Sequence, residues 1–233
     1  MTTNQPGVYI GPQTVFPGNT IVELNAFGYR ARLEGGLRNF VHPAVLARYG
    51  LTKKLELRAS TSVRTVNVNI PQLDTSVTAL TGANIGAQLQ LIGAGQKLPA
   101  TSLQFNLLLP NTWQQRLIVL PQLWLTTQIP LAPKFNAYVN MIGTYFHLAE
   151  HLEFRYVLAV DWRIQDRLRA FIEHTGLPRQ QLGLEHGYNL GLAYALSRHL
   201  QIDFSGGIST FQSNVWLNAN LGFAFRLAPQ RNR

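Results

Sequence analysis

The sequence predicts an all-β fold, an up-and-down antiparallel β-barrel of about twelve strands that crosses a membrane, and three observations predict it. Only 13% of the 233 residues are charged although the apolar share is 46%, whereas an ordinary soluble domain carries roughly 25% charged residues. Apolar residues recur at every second position through much of the chain, the period of a strand with two chemically different faces. A short polar turn recurs at every second connection between these segments.

A helical membrane protein needs runs of about 18 or more apolar residues, and the sequence has none. A barrel instead places its lipid-facing side chains at alternate positions, which leaves mean hydropathy near zero, as found here. Without cysteine, a disulfide scaffold and a Cys-based metal site are both excluded. The start, MTTNQPGVYIGPQ, has no basic region followed by an apolar stretch, so it carries no signal-peptide pattern. The chain reads as a mature-form bacterial outer-membrane barrel, or as an engineered or designed one. Three parts are expected: an N-terminal segment, 1–18, able to enter the lumen; the barrel, 19–228; and a basic tail, 229–233.

The first strand spans 20–33, where Glu23 and Asn25 share a face with Phe27 and Tyr29, a clash of polarity that predicts a bulge. The second, 38–50, follows a short connection at Gly35 and Gly36. In the third, 55–66, Leu55, Leu57, Thr61 and Val63 oppose Glu56, Arg58, Ser62 and Arg64; in the fourth, 81–92, Ile85, Ala87, Leu89 and Leu91 oppose Asn84, Gly86, Gln88 and Gln90. Segments 100–110, 116–129 and 134–146 continue the pattern. It is cleanest in 153–164, where Phe154, Tyr156, Leu158, Val160 and Trp162 alternate with Glu153, Arg155, Val157, Ala159, Asp161 and Arg163. Strands at 168–176 and 186–196 precede 200–209, with Leu200, Ile202 and Phe204 against Gln201, Asp203 and Ser205, and 215–227, with Leu217, Leu221 and Phe223 against Asn218, Asn220 and Gly222.

The strings YGLTKKLEL at 49, IPLAPKFNA at 129, WRIQDRLRA at 162 and YALSRHLQI at 194 share an apolar residue, a polar turn ending in Lys, Arg or His, and another apolar residue. With the looser LIGAGQKLP at 91 they mark every second connection, the hairpin rhythm of an up-and-down barrel. Longer connections are expected near 67–80, 110–116, 147–152, 175–185 and 209–214. Tyr49, Trp113, Tyr145, Trp162, Tyr188 and Trp216 fall near strand ends, where interfacial girdles belong.

This phase turns Arg48, Arg58, Arg64, Arg155, Arg163, Arg169 and Arg226 into the lumen with Glu23, Glu56, Glu153, Asp161, Glu173 and Asp203. Near balance of sign allows two readings, ion pairs that fill the lumen or an open channel with weak anion preference. Asn84, Gln88, Gln90, Gln104, Asn106, Gln122, Thr126, Asn136, Asn140, Asn218 and Asn220 form the inward polar set, either lining a watery channel or bonding to one another.

Other chemistries find little support. His147 and His151 have the spacing of a helical metal pair, but the segment is not helical, so no metal and no cofactor is expected. Ser197 beside His199 lies in a tight turn where water exclusion is hard to arrange, so enzymatic activity is not expected. Lys and Arg are scattered, with no basic run longer than Lys53-Lys54, which argues against nucleic acid and for cationic rims beside lipid headgroups. A monomer in lipid or detergent is expected.

RYGLTKKLELR (48–58), LRAFIEHTG (168–176), GLAYALSRHLQIDFSGG (191–207), GFAFRL (222–227) and the opening TTNQPGVYIGPQTVFPGNTIVEL (2–24) resemble an outer-membrane transporter family linked to the phenol-degradation meta-pathway. Asn4 and Gln5 stand where that family carries an Asp-Arg pair, and the chain runs on through APQRNR past the final strand. The resemblance implies a barrel of about twelve strands with passive transport. The expected function is a pore for ions or small solutes; the alternative is a plugged, non-conducting barrel serving as a scaffold or as the partner of another envelope protein.

Overall fold

The computed structural model describes residues 9–33, 36–70, 73–95, 98–110, 119–146, 151–179, 183–211 and 214–227. Twelve strands appear in order: β1 Thr20–Leu33, β2 Gly36–Gly50, β3 Leu55–Ile70, β4 Leu73–Ile92, β5 Ala100–Leu108, β6 Leu120–Ala132, β7 Phe135–Phe146, β8 His151–Arg163, β9 Leu168–Arg179, β10 Gly183–Ala195, β11 Leu200–Phe211 and β12 Asn214–Leu227. Each pairs antiparallel with its sequence neighbours, and β1 closes the ring on β12 from Thr20↔Leu227 to Ala31↔Trp216. Closure removes every sheet edge, so each strand satisfies its backbone groups in the ladder. No helix occurs among the described residues.

Alternation decides which side chains meet lipid. Phe154, Ile172, Leu190, Phe204 and Leu217 all project outward and are highly exposed, whereas their strand neighbours Val157, Glu173, Asn189, Ser205 and Asn220 are buried in the interior. An apolar exterior around a polar interior is the inversion of a soluble barrel, and it is the surface a bilayer requires. Tyr49, Phe135, Trp162 and Tyr194 lie exposed on the outer face at the tight-turn rim, with the Phe135 and Trp162 rings stacked at 5.9 Å. Replacing Leu190, 69% exposed on this belt, by Arg is expected to cost about 2–4 kcal/mol if the site lies near the bilayer midplane. Reversible unfolding from lipid vesicles measures this, and a cost near zero would place that face outside the hydrocarbon.

The repeated turns share a mechanism. Thr52 Oγ1 accepts from the backbone N–H groups of Lys54 and Leu55 at 3.2 and 3.0 Å, and Ser197 Oγ accepts from those of His199 and Leu200, both at 3.1 Å. A hydroxyl two residues before the turn's end thus replaces a backbone partner, which explains why YGLTKKLEL and YALSRHLQI align.

Several expectations change. The bulge predicted in the first strand is absent: β1 pairs without interruption with both neighbours, and Phe27 and Tyr29 join Glu23 and Asn25 on the inner face. Register shifts fall instead at Thr61/Val63, Gln90/Ile92 and Pro130/Ala132. At the first, Thr81 and Gly82 together oppose Ser62, and Gly82 has φ 96°, which a side chain would strain. Pro130 lacks the N–H that a regular ladder needs. Residues 67–70 and 73–80 are strand and not loop, because β3 and β4 continue pairing as far as Ile70↔Leu73; their β-branched residues favour strand, and the Thr65 and Thr78 hydroxyls bond at 2.9 Å. Likewise β9 to β12 extend into 175–185 and 209–214, since ladder pairing reaches Arg179↔Gly183 and Phe211↔Asn214. Trp216 is 6% exposed and faces the lumen, out of the girdle, because it shares the phase of Asn218 and Asn220. Trp113 and His147 lie outside the described residues.

Candidate functional site: the barrel lumen

The interior has three zones. Nearest the tight turns, Arg48 from β2 is the centre of a buried charge cluster. Its Nε and Nη2 donate to Glu56 Oε1 and Oε2 at 2.7 and 2.8 Å, and its Nη1 donates to Glu23 Oε1 at 3.0 Å. Arg58 lies 3.4 Å from Glu56 and donates to Gln88 at 2.8 Å and to Gln104. β1, β2 and β3 are adjacent strands, so three inward positions at one height bring these groups together. The forked guanidinium suits two carboxylates where an ammonium would serve only one well.

The middle zone is filled by the chain's own N-terminal segment. Pro17 pairs with Gly50 at the tight-turn rim, and the segment runs from there into the lumen to Tyr9. Glu56 Oε2 accepts from Val15 N at 2.7 Å, Gln88 donates to the Gly11 carbonyl at 3.2 Å, and Gln13 bonds Gln128. Asn140 meets Ile10 twice, accepting from its N–H at 2.8 Å and donating to its carbonyl at 3.0 Å. An inward asparagine here acts as a neighbouring strand would, satisfying a backbone that has no ladder partner. Glu173 Oε1 accepts from Tyr9 N at 3.1 Å. The Tyr9 ring packs against Tyr138 and Phe171, centroids 4.7 and 5.9 Å away, in an apolar cluster with Ile142, Val157 and Ala159.

The third zone, toward the longer connections, is open. A cavity of ≈ 400 Å³ is lined by residues of β1, β2, β3 and β8 to β12, and one of ≈ 280 Å³ lies on the side of β2 to β6; Phe27 borders both.

Of the inward charges expected from sequence, Arg48, Glu56, Arg58, Asp161, Glu173, Asp203 and Glu23 are buried in the interior. Arg169 pairs with Asp161 at 3.5 Å, which also accepts from Asn136 at 3.0 Å. Arg64 and Arg155 line the larger cavity, with Glu153 4.0 Å from Arg155. Two charges sit at the rim instead of the lumen wall: Arg163 is exposed and donates to the Pro133 carbonyl at 2.7 Å, and the Arg226 guanidinium lies 5.8 Å from the Phe16 ring centroid. Both are at strand ends, where a long side chain reaches the turn more readily than the axis. Among the polar residues, Gln88, Gln104, Asn106, Thr126, Asn140 and Asn220 are buried. Gln122 bonds Thr144 at 2.9 Å, Asn84 lines the smaller cavity and Asn218 the larger, and Gln90 follows Gln88 on the same face of β4. Sequence reasoning missed Tyr138, Phe171, Trp124, Asn189 and Glu185 as lumen residues. The even phase of β7, set by Asn136 and Asn140, and the odd phase of β9, set by Arg169 and Glu173, already carried Tyr138 and Phe171 inward.

No protein-family model matches the chain, and no curated protein sequence matches it. Solved structures do. An outer membrane channel from Pseudomonas putida F1 aligns over 93% of this chain and 98% of its own at 12% identity, with a TM-score of 0.67. The KdgM porin, solved with disordered oligogalacturonate, aligns over 88% and 98% at 7% identity and a TM-score of 0.62, and the NanC porin over 88% and 100% at 9% identity and 0.58. At such identities what is shared is the fold, and the chain is therefore a closed twelve-stranded barrel of the kind found in outer-membrane channels and porins.

Proposed function

We propose that the protein is a bacterial outer-membrane channel for passive passage of small solutes, narrowed by its own N-terminal segment. The observation that carries this reading is a polar lumen, with cavities toward the longer connections, inside a continuous apolar exterior. The neighbours in fold are themselves described as channels and porins, which supports it. The segments RYGLTKKLELR, LRAFIEHTG and GLAYALSRHLQIDFSGG further support a place in the transporter family linked to the phenol-degradation meta-pathway. Arg64 and Arg155 line the open zone, with Glu153 4.0 Å from Arg155, so the expected anion preference is weak. The second reading, a plugged barrel acting as a scaffold, draws on the hydrogen bonds that hold Tyr9 to Val15 in the lumen.

Single-channel recording of the refolded protein in a planar bilayer under a salt gradient separates the two. Small stable steps with a mildly anion-selective reversal potential are expected. A silent barrel that is nevertheless inserted and heat-modifiable would overturn the channel and leave the scaffold.

A further inference from the structure

At the tight-turn end the barrel repeats one surface device around its circumference. The β2–β3 turn exposes Leu51 beside Lys53 and Lys54, the β6–β7 turn Leu131 beside Lys134, and the β10–β11 turn Leu196 beside Arg198. Where the chain leads into β1, Phe16 is 70% exposed and the Arg226 guanidinium lies against its ring. The β8–β9 turn sets exposed Arg167 after the half-buried Ile164, and the β4–β5 connection exposes Leu98. Every strand pairs with its sequence neighbours, so these connections follow one another around the ring and the device recurs on all sides. Asp166 is the single exposed carboxylate of this rim among the described residues.

Exposed cations with almost no carboxylate among them call for an anion, and the leucines narrow its kind. An apolar side chain held open at a turn is unfavourable in water, whereas the boundary between headgroups and acyl chains takes an apolar group and a cation side by side. The turn chemistry fixes that pairing: Thr52 and Ser197 bond to the backbone that follows them, and in each turn the leucine stands just before the hydroxyl and the cation just after it. Tyr49, Trp162 and Tyr194, exposed next to the turns, mark the headgroup level as interfacial aromatics do. Arrangement decides between occupants. A protein partner docks on one contiguous patch, while the lipid around a barrel meets every side at once. Short turns of outer-membrane barrels face the periplasm, so the leaflet at this rim is the phospholipid one. We propose that the tight-turn rim is a binding surface for anionic phospholipid headgroups, gathered as a ring around the barrel. Binding of this kind needs no reading of the lumen and holds for a conducting and a silent barrel alike.

The test reads lipid selectivity at Trp162, exposed on the outer face at this rim. The refolded full chain is placed in phosphatidylcholine vesicles containing brominated phosphatidylglycerol or brominated phosphatidylcholine, and the fluorescence quenching that is lost in Trp162→Phe is the signal of the rim. Phosphatidylglycerol is expected to show a relative binding constant at least about threefold above that of phosphatidylcholine at low salt, falling toward equality in about 1 M salt, where the Debye length is only ~3 Å. Lys53→Gln, Lys54→Gln, Lys134→Gln, Arg167→Gln and Arg198→Gln combined should abolish the preference and leave quenching by phosphatidylcholine unchanged; Arg163 and Arg226 are kept, because they hold Pro133 and Phe16. Heat-modifiable mobility checks that each variant is folded, and the salt dependence of the unaltered chain stands even where a variant fails to fold. Equal binding of the two lipids at low salt, a preference that persists at high salt, or one retained by the folded combined variant would each overturn the surface, the first of them leaving the cationic ring to a soluble acidic partner.

Discussion

Removing residues 2–16 is expected to raise the single-channel conductance of the barrel several-fold without unfolding it. The segment from Tyr9 to Val15 occupies the middle of the lumen through bonds to Glu173, Asn140, Gln88 and Glu56, while the twelve strands close on one another without it. Its removal leaves those polar groups to water, which a lumen can admit and a dry core cannot. A point substitution offers the same test with the segment present. Gly50 lies where the chain turns into the barrel, with Gly18 N donating to its carbonyl at 2.8 Å and its own N–H donating to Asn19 at 3.1 Å, and a Cβ there would collide with the backbone carbonyl oxygens of Val15 and Phe16. Gly50→Val should therefore displace the segment and raise conductance in the same direction. Conductance unchanged by both alterations would mean that side chains, and not the N-terminal segment, set the constriction.

Arg48→Met is expected to be the most destabilising single change in the lumen, by about 3–5 kcal/mol. Glu56 is 0% exposed and Glu23 2%, and both direct their oxygens at the Arg48 guanidinium. Without it two carboxylates stay buried beside each other, with Arg58 3.4 Å from Glu56 as the remaining cation. Breaking a buried ion cluster from one side costs far more than replacing all of it, because the surviving charges keep their desolvation penalty and lose their compensation. Chemical unfolding from lipid vesicles measures the loss. The triple variant with Glu23→Gln and Glu56→Gln should recover much of it, and a loss as large in the triple as in the single variant would show that packing of the arginine, and not charge, holds this zone.

Strand number, the outward belt and most of the inward phase were legible in the sequence, since alternation is a local property and lipid on one side makes it strict. The legible part weakens where both faces tolerate the same residues. Phe27 and Tyr29 looked misplaced beside Glu23 and Asn25 because an inward aromatic breaks the rule that a barrel interior is polar; the interior in fact holds aromatic residues in two places, around Tyr9 and around the open cavity. The ribbon at 67–80 reads as a loop in the sequence because Pro71 and Asp74 are turn formers, although Val66, Val68 and Ile70 keep alternating with Asn67 and Asn69.

By itself, then, the sequence determined that this protein is a closed membrane-type barrel and most of the side chains that face inward, because hydrophobic period and turn chemistry act between neighbours along the chain. Only the tertiary structure decided what the interior does with those side chains. Which arginine meets which carboxylate depends on strand stagger around the ring, and Asn140 meeting Ile10, or Glu173 meeting Tyr9, joins residues more than 100 positions apart. Such contacts follow from closure of the sheet, a global constraint that no local pattern encodes.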